Sequence, residues 1–84
     1  MYYNFLNKYI PMLKKEDIIN YANKQNIFLT PNEIETIYKV IKTRWKEIYK
    51  DGISVINEYR KEFNDITFNK IKELYLEIKN KYLK

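Results

Sequence analysis

The residues of this chain that could carry chemistry are carboxylates, lysines and tyrosines, because histidine and cysteine are both absent. Their absence removes thiolate and imidazole metal ligands, cysteine nucleophiles and Ser-His-Asp triads. Eight of the eleven carboxylates fall into four close pairs: Glu16 with Asp17, Glu33 with Glu35, Glu58 with Glu62, and Glu73 with Glu77. A catalytic pair needs a partly desolvated cleft that separates its two pKa values, whereas we expect these pairs on wet helix faces. A single glycine cannot build a Gly-rich phosphate loop. We therefore predict no enzyme activity, no cofactor and no metal site.

A row of lysines on the predicted central helix is the candidate for binding nucleic acid. Its members are three or four residues apart, opposite the apolar stripe of that helix: Lys39, Lys42, Lys46 and Lys50. Such a row could follow a phosphate backbone and give sequence-independent, salt-sensitive binding. Glu47 and Asp51 dilute the charge, and arginine, which is favoured for specific base contacts, occurs only twice. An ordinary solvated helix face is the simpler interpretation, so nucleic-acid binding is the alternative function.

Apolar residues outside the predicted core stripes are candidates for contact with a partner protein. Leu76 and Leu83 are seven residues apart, on one side of the last helix and away from its main stripe. Tyr2 and Tyr3 belong to a tyrosine-rich N-terminal segment and are the second candidate surface. Hydrophobic residues make up 45% of the chain, more than so small a core is expected to enclose. We therefore predict a non-enzymatic protein-interaction module, either a homo-oligomer such as a two-fold dimer or a small adaptor.

The element that must position these residues is the central helix, which has its own start and stop signals. Thr30 and Glu33 form a capping box, with Pro31 at the first helical position. Asp51 and Gly52 predict the end, with the glycine in the left-handed conformation past the last turn. The pattern predicts a helix over residues 31–50.

The remaining elements are also predicted to be helices, and no segment alternates as a strand would. Periodicity and caps place them at residues 15–25, 54–63 (with Ser54 as N-cap) and 66–82. A short N-terminal helix ends before Pro11 and is expected to pack as a lid, with Tyr2, Phe5, Leu6 and Tyr9 on its inner side. The fold class is all-α, a small bundle of four main helices with a short N-terminal helix in a single domain, 1–84. The predicted core is Ile18, Ala22, Leu29, Ile34, Ile37, Ile41, Trp45, Ile48, Ile56, Phe63, Ile71, Leu74 and Ile78.

The composition bounds partners and location. The net charge is +5, but Lys, Asn, Ile and Tyr together supply 46 of 84 residues, and all four have A/T-rich codons. The sequence leaves open whether the basic charge serves function or reflects codon usage. No apolar run approaches the roughly 18 to 20 residues that a membrane span needs, and the N-terminus lacks the features of a signal peptide. We expect a cytoplasmic protein with no membrane partner.

Two stretches resemble a known family. EDIINYANKQNIFLTPNEIETIYKVI, followed by ISVINEYRKEFNDITFNKIKELY, is similar to small uncharacterised proteins of Gram-positive bacteria that have a helix, an apolar connector of the type xIxLT, a long helix and a C-terminal helix pair. The resemblance spans roughly residues 14–82 and implies an all-helical fold. The family has no assigned activity, ligand or catalytic residue, so the resemblance implies no site residue. The tyrosine-rich N-terminal segment and the basic central helix depart from it.

Overall fold

The computed structural model describes the backbone of residues 2–82 and the side chains of residues 3–81. Within this range it contains helices and no strand, which confirms the predicted all-α fold with a short N-terminal helix. The α-helices are α1 (Tyr2–Tyr9), α2 (Lys15–Lys24), α3 (Pro31–Glu58) and α4 (Asp65–Tyr82), with 3₁₀ turns at Ile10–Met12 and Arg60–Glu62.

The start of α3 is the capping box that the sequence predicts. The Glu33 backbone N–H donates to Thr30 Oγ1 at 3.2 Å, and the Thr30 N–H donates to Glu33 Oε1 at 2.8 Å. The two bonds satisfy donors that a helix N-terminus would otherwise leave without partners. Glu33, whose carboxylate accepts from the Thr30 N–H, is buried. Asn26, which follows α2, takes the left-handed conformation at φ 57°, as expected for the residue after a helix.

The break predicted after residue 50 is present, because α3 consists of two helical parts joined at a kink and continues to Glu58. The predicted left-handed conformation of the glycine is wrong. Gly52 does not have a positive φ. Asp51 instead leaves the helical region, at φ −154° and ψ 76°. In a straight helix the Gly52 N–H would donate to the carbonyl of Ile48. Here the Tyr75 hydroxyl of α4 lies between them: it accepts from Gly52 N at 3.1 Å and donates to Ile48 O at 3.3 Å. Insertion of a side chain into the helical ladder is a known cause of kinks.

Asp51 caps the part of α3 that follows the kink. Its carboxylate accepts from the Ser54 N–H at 3.3 Å and from the Ser54 hydroxyl at 2.8 Å. These two bonds hold the pKa of Asp51 below its usual range, and the bond from the hydroxyl has the larger effect. Ser54 is therefore a residue of the first turn and not the N-cap that the sequence predicts. The predicted helix 54–63 is the end of α3, which stops at Glu58 before the second 3₁₀ turn.

The side chain of Arg44 joins the two parts of α3 across the kink. Its Nη1 donates to Glu58 Oε1 at 2.9 Å and to the Tyr59 hydroxyl at 3.0 Å, while Nη2 donates to Glu58 Oε2 at 2.9 Å and to Glu47 Oε2 at 2.7 Å. These hydrogen bonds hold the pKa of Glu58 and of Glu47 below their usual range. The bidentate pair with Glu58 fixes the direction of the last turns of α3.

We expect the hydrogen bonds of Arg44 with Glu58 and Glu47 to make the stability of the fold depend on pH in the acid range. Because the folded pKa of Glu58 and Glu47 is depressed, their contribution is complete above about pH 4.5 and is lost as the pH falls below that value. The melting temperature of Arg44→Gln should be lower than wild type near pH 7 and should fall less steeply between about pH 5 and 3. Arg60→Gln is the control, since it removes the bond to an exposed Asp65 and the contact with the Phe68 ring but no contact with Glu47 or Glu58. Equal slopes for wild type and Arg44→Gln would contradict the prediction.

The buried core is smaller than the predicted one and differs from it. The buried hydrophobic side chains are Ile18, Ala22, Ile27, Val55, Phe68 and Tyr75. Ile18 and Ala22 are the predicted members among them, and the other predicted core residues are half-buried. Trp45 is one of these, neither central nor open to solvent, and lies against the ring of Tyr3.

Candidate interaction surfaces

The outer side of α4 carries exposed apolar side chains. Leu76 is 44% exposed and Ile66 is 71% exposed. The sequence steps from Ile66 to Asn69, Glu73 and Leu76 are three, four and three, which places these residues along one side of the helix. The predicted partner contact at Leu76 therefore lies on an accessible surface. Leu83, the other predicted contact on this helix, lies outside the described residues.

The N-terminal helix covers α3 but is rotated relative to the prediction. The ring of Tyr3 packs against Trp45 and Tyr49, with centroid distances of 5.1 and 5.5 Å. Phe5 and Tyr9 are exposed and lie side by side at 4.4 Å, so the prediction that they face the core is wrong. Tyr3 is predicted to contact a partner, but its ring packs against Trp45 and Tyr49 of the same chain. The side chain of Tyr2 lies outside the described residues.

Two of the four predicted nucleic-acid contacts, Lys42 and Lys39, form a hydrogen bond or an ion pair within the chain. Lys42 is half-buried, and its Nζ donates to the Pro11 carbonyl at 2.6 Å. This bond holds the turn after α1 on α3. Lys39 lies 3.8 Å from Glu35, which also forms an ion pair with Lys15 of α2. The hydrogen bond from Lys15 holds the pKa of Glu35 below its usual range.

Lys46 and Lys50 remain exposed farther along α3. Lys46 Nζ lies 5.7 Å from the ring centroid of its neighbour Trp45. Arg44, between Lys42 and Lys46, departs from helical geometry at φ −128° and ψ 18°. The four lysines therefore do not form one straight row on a regular helix. Sequence-independent nucleic-acid binding stays a prediction that rests mainly on the exposed members.

Three carboxylates of the predicted pairs are engaged by other groups of the fold. Glu33 is occupied by the capping box, Glu35 by lysines, and Glu58 by Arg44. Within residues 3–81, no group of three or more acidic side chains is arranged to hold a metal ion. None of the described helices is long and apolar enough to cross a membrane.

Two apolar cavities separate the helices where the predicted core was expected to close. The larger, about 300 Å³, lies between α2, the connector after it, α3 and α4. The smaller, about 170 Å³, lies between α3 and α4. Ile37, Ile41, Ile71 and Tyr75 line both cavities and form the wall between them. The half-buried residues of the predicted core mostly line these spaces.

Phe28 is an exposed apolar residue that the sequence reasoning missed. It is 84% exposed, whereas its neighbour Ile27 is buried. Side chains alternate in direction along an extended segment, so the alternation in the connector was the available signal.

Comparison of the chain with protein-family models, with curated proteins and with solved structures finds no match. The resemblance to small helical proteins of Gram-positive bacteria therefore stays a prediction.

Proposed function

We propose that this protein is a non-enzymatic interaction module that pairs with a second copy of itself through the outer side of α4. The observation that supports this is the exposure of two apolar side chains on that side, since Ile66 is 71% and Leu76 is 44% exposed.

The outer side of α4 is the proposed contact because it combines apolar anchors with a polar surround. Ile66 and Leu76 are ten residues apart, so they span about 15 Å of helix. Glu73 lies between them along the same side, and Lys79 is exposed beyond Leu76. Apolar anchors within a polar rim are typical of interfaces between proteins that also exist as soluble monomers. A two-fold axis places the same anchors on both copies.

An adaptor role, in which a different protein occupies this surface, is the alternative form of the same proposal. The cytoplasmic location expected from the sequence belongs to the proposal as well.

We expect the wild-type chain to be a dimer at tens of micromolar and Leu76→Glu to be a monomer at the same concentration. The substitution places a charge on each copy near the axis and beside Glu73, and burying such charges without partners is unfavourable. Sedimentation velocity measures the association, and far-ultraviolet circular dichroism checks that helicity is retained.

Ile19→Glu is the matched control, because Ile19 is a similarly exposed apolar residue on α2. This variant should remain a dimer. A wild-type chain that is monomeric at millimolar concentration would refute self-association. Equal loss of the dimer in both variants would refute the location on α4.

A further inference from the structure

The larger cavity has the size and lining of a small-molecule site. Its volume of about 300 Å³ is at the lower end of the range of roughly 300–1,000 Å³ for ligand pockets. Its walls are isoleucines of α3 and α4, and Ala22 of α2 is buried among its lining residues. The short side chain of Ala22 is one reason that the space between α2 and α4 is not filled. Protein interiors are normally packed to the density of organic crystals, so an apolar occupant would gain contacts that the chain alone does not make.

Polar groups meet this cavity on one side. Asp17 and Tyr21 are one turn apart on α2, both line the cavity, and both are exposed, which places them at its mouth. The hydroxyl of Tyr75, the other polar group of the lining, is occupied by Gly52 and Ile48. A ligand would therefore find its polar partners at the mouth and hydrocarbon elsewhere.

The carboxylate of Asp17 is held in place by the cap of α2. Its Oδ2 accepts from the Lys14 backbone N–H at 2.9 Å, within the cap of α2. In the part of the chain that the structure describes, Asp17 has no ion pair, and the nearby Lys15 is paired with Glu35. A cationic or hydrogen-bond-donating head group would complement this carboxylate.

We propose that the cavity binds a small amphiphile whose apolar body fills the space between α2, α3 and α4 and whose amine head lies at Asp17. The site is separate from the outer side of α4, and the proposal does not rest on self-association.

Octylamine is the probe, and octanol and octanoate, which share its alkyl chain, are the comparison ligands. Titration into the full chain, followed by NMR of the isoleucine methyl groups, should shift Ile37, Ile41, Ile71 and Ile78 with saturation at one molecule per chain. Octylamine should bind most tightly and octanoate most weakly. If none of the three ligands gives saturable shifts at these methyl groups, the proposed site is wrong.

Two variants test the parts of the proposal separately. Ala22→Leu fills the cavity and should abolish the octylamine shifts; unchanged binding would overturn the assignment of the apolar body. Asp17→Asn should weaken octylamine about fivefold, as expected for a partly exposed charge pair, and leave octanol unchanged. Glu16→Gln removes an adjacent exposed carboxylate that does not line the cavity and should have no effect. Equal effects of Asp17→Asn and Glu16→Gln, or octanoate binding as tightly as octylamine, would overturn the role of Asp17.

Discussion

Gly52→Ala is expected to destabilise the fold by about 3 kcal/mol, from overpacking together with two weakened hydrogen bonds. The sign is opposite to the usual one, because alanine inside a helix is favoured over glycine by about 1 kcal/mol. A Cβ at this position would lie 2.2 Å from Cζ of Tyr75 and 2.5 Å from its hydroxyl oxygen. The ring must therefore move, and the hydroxyl then leaves both Gly52 N and Ile48 O. The midpoint of urea unfolding measures the loss.

A double-mutant cycle with Tyr75→Leu separates this contact from any intrinsic effect of alanine. In the Tyr75→Leu background the clash with the ring end is gone, so Gly52→Ala should be neutral or stabilising. Asn57→Ala, at an exposed position of the same helical segment, is the control in the wild-type background and should stay within about 0.5 kcal/mol of wild type. Additive effects of the two substitutions would show that Tyr75 does not explain the glycine.

Gly52 also shows why the start of α3 was predictable in detail, whereas only the position of the break after residue 50 was predictable. The start depends on Thr30, Pro31 and Glu33, which are adjacent in sequence, so the capping box can be recognised locally. Asp51 followed by Gly52 correctly indicates a break in the helix. The conformation at the break depends on Tyr75, which is 23 residues away along the chain. The glycine provides space for the Tyr75 ring and does not take a positive φ.

How deeply each apolar side chain is buried was less predictable than the side of the helix on which it lies. Periodicity correctly indicated that Ile71 and Ile78 lie on the inner side of α4. It did not show that cavities would leave them half-buried, with Ile71 lining both cavities and Ile78 the larger one. Phe68 lies one turn before Ile71 on the same side, so its position was available from the spacing. Val55 is absent from the predicted core, because a helix with Ser54 as N-cap is expected to place Ile56 and Phe63 on its apolar side.

The exposure of a candidate residue was predictable where it follows from the position of the residue around its helix. It was unpredictable where it depends on contact with a residue distant in the sequence. Leu76 lies away from the α4 stripe, and the structure places it on the outside. The orientation of α1 depends on its contacts with Trp45 and Tyr49. This short helix has aromatic residues on more than one side, so its own sequence does not determine which side packs against α3. Lys42 looks like its neighbours in sequence, yet the Pro11 carbonyl removes it from the exposed row.

Phe68→Ala is expected to cost about 3–5 kcal/mol, the range for truncating a buried aromatic side chain. Phe68 is 2% exposed and is the largest fully buried side chain. Its ring also lies 4.9 Å from the Arg60 guanidinium and 5.6 Å from Lys72 Nζ, contacts that alanine cannot make. Trp45→Ala should cost less, because the indole is only half-buried.

Phe28→Ala is the matched control for this loss, because the same atoms are removed from a side chain that is 84% exposed. It should change the free energy of unfolding by less than about 0.5 kcal/mol. Urea unfolding of the three variants therefore ranks Phe68 above Trp45 and Trp45 above Phe28. A larger loss for Trp45 than for Phe68 would contradict this ranking. It would indicate that the contact of α1 with the middle of α3 contributes more stability than the contact of α4 with the end of α3. Equal losses for the two phenylalanines would contradict the burial of Phe68, because the same ring is removed in both variants.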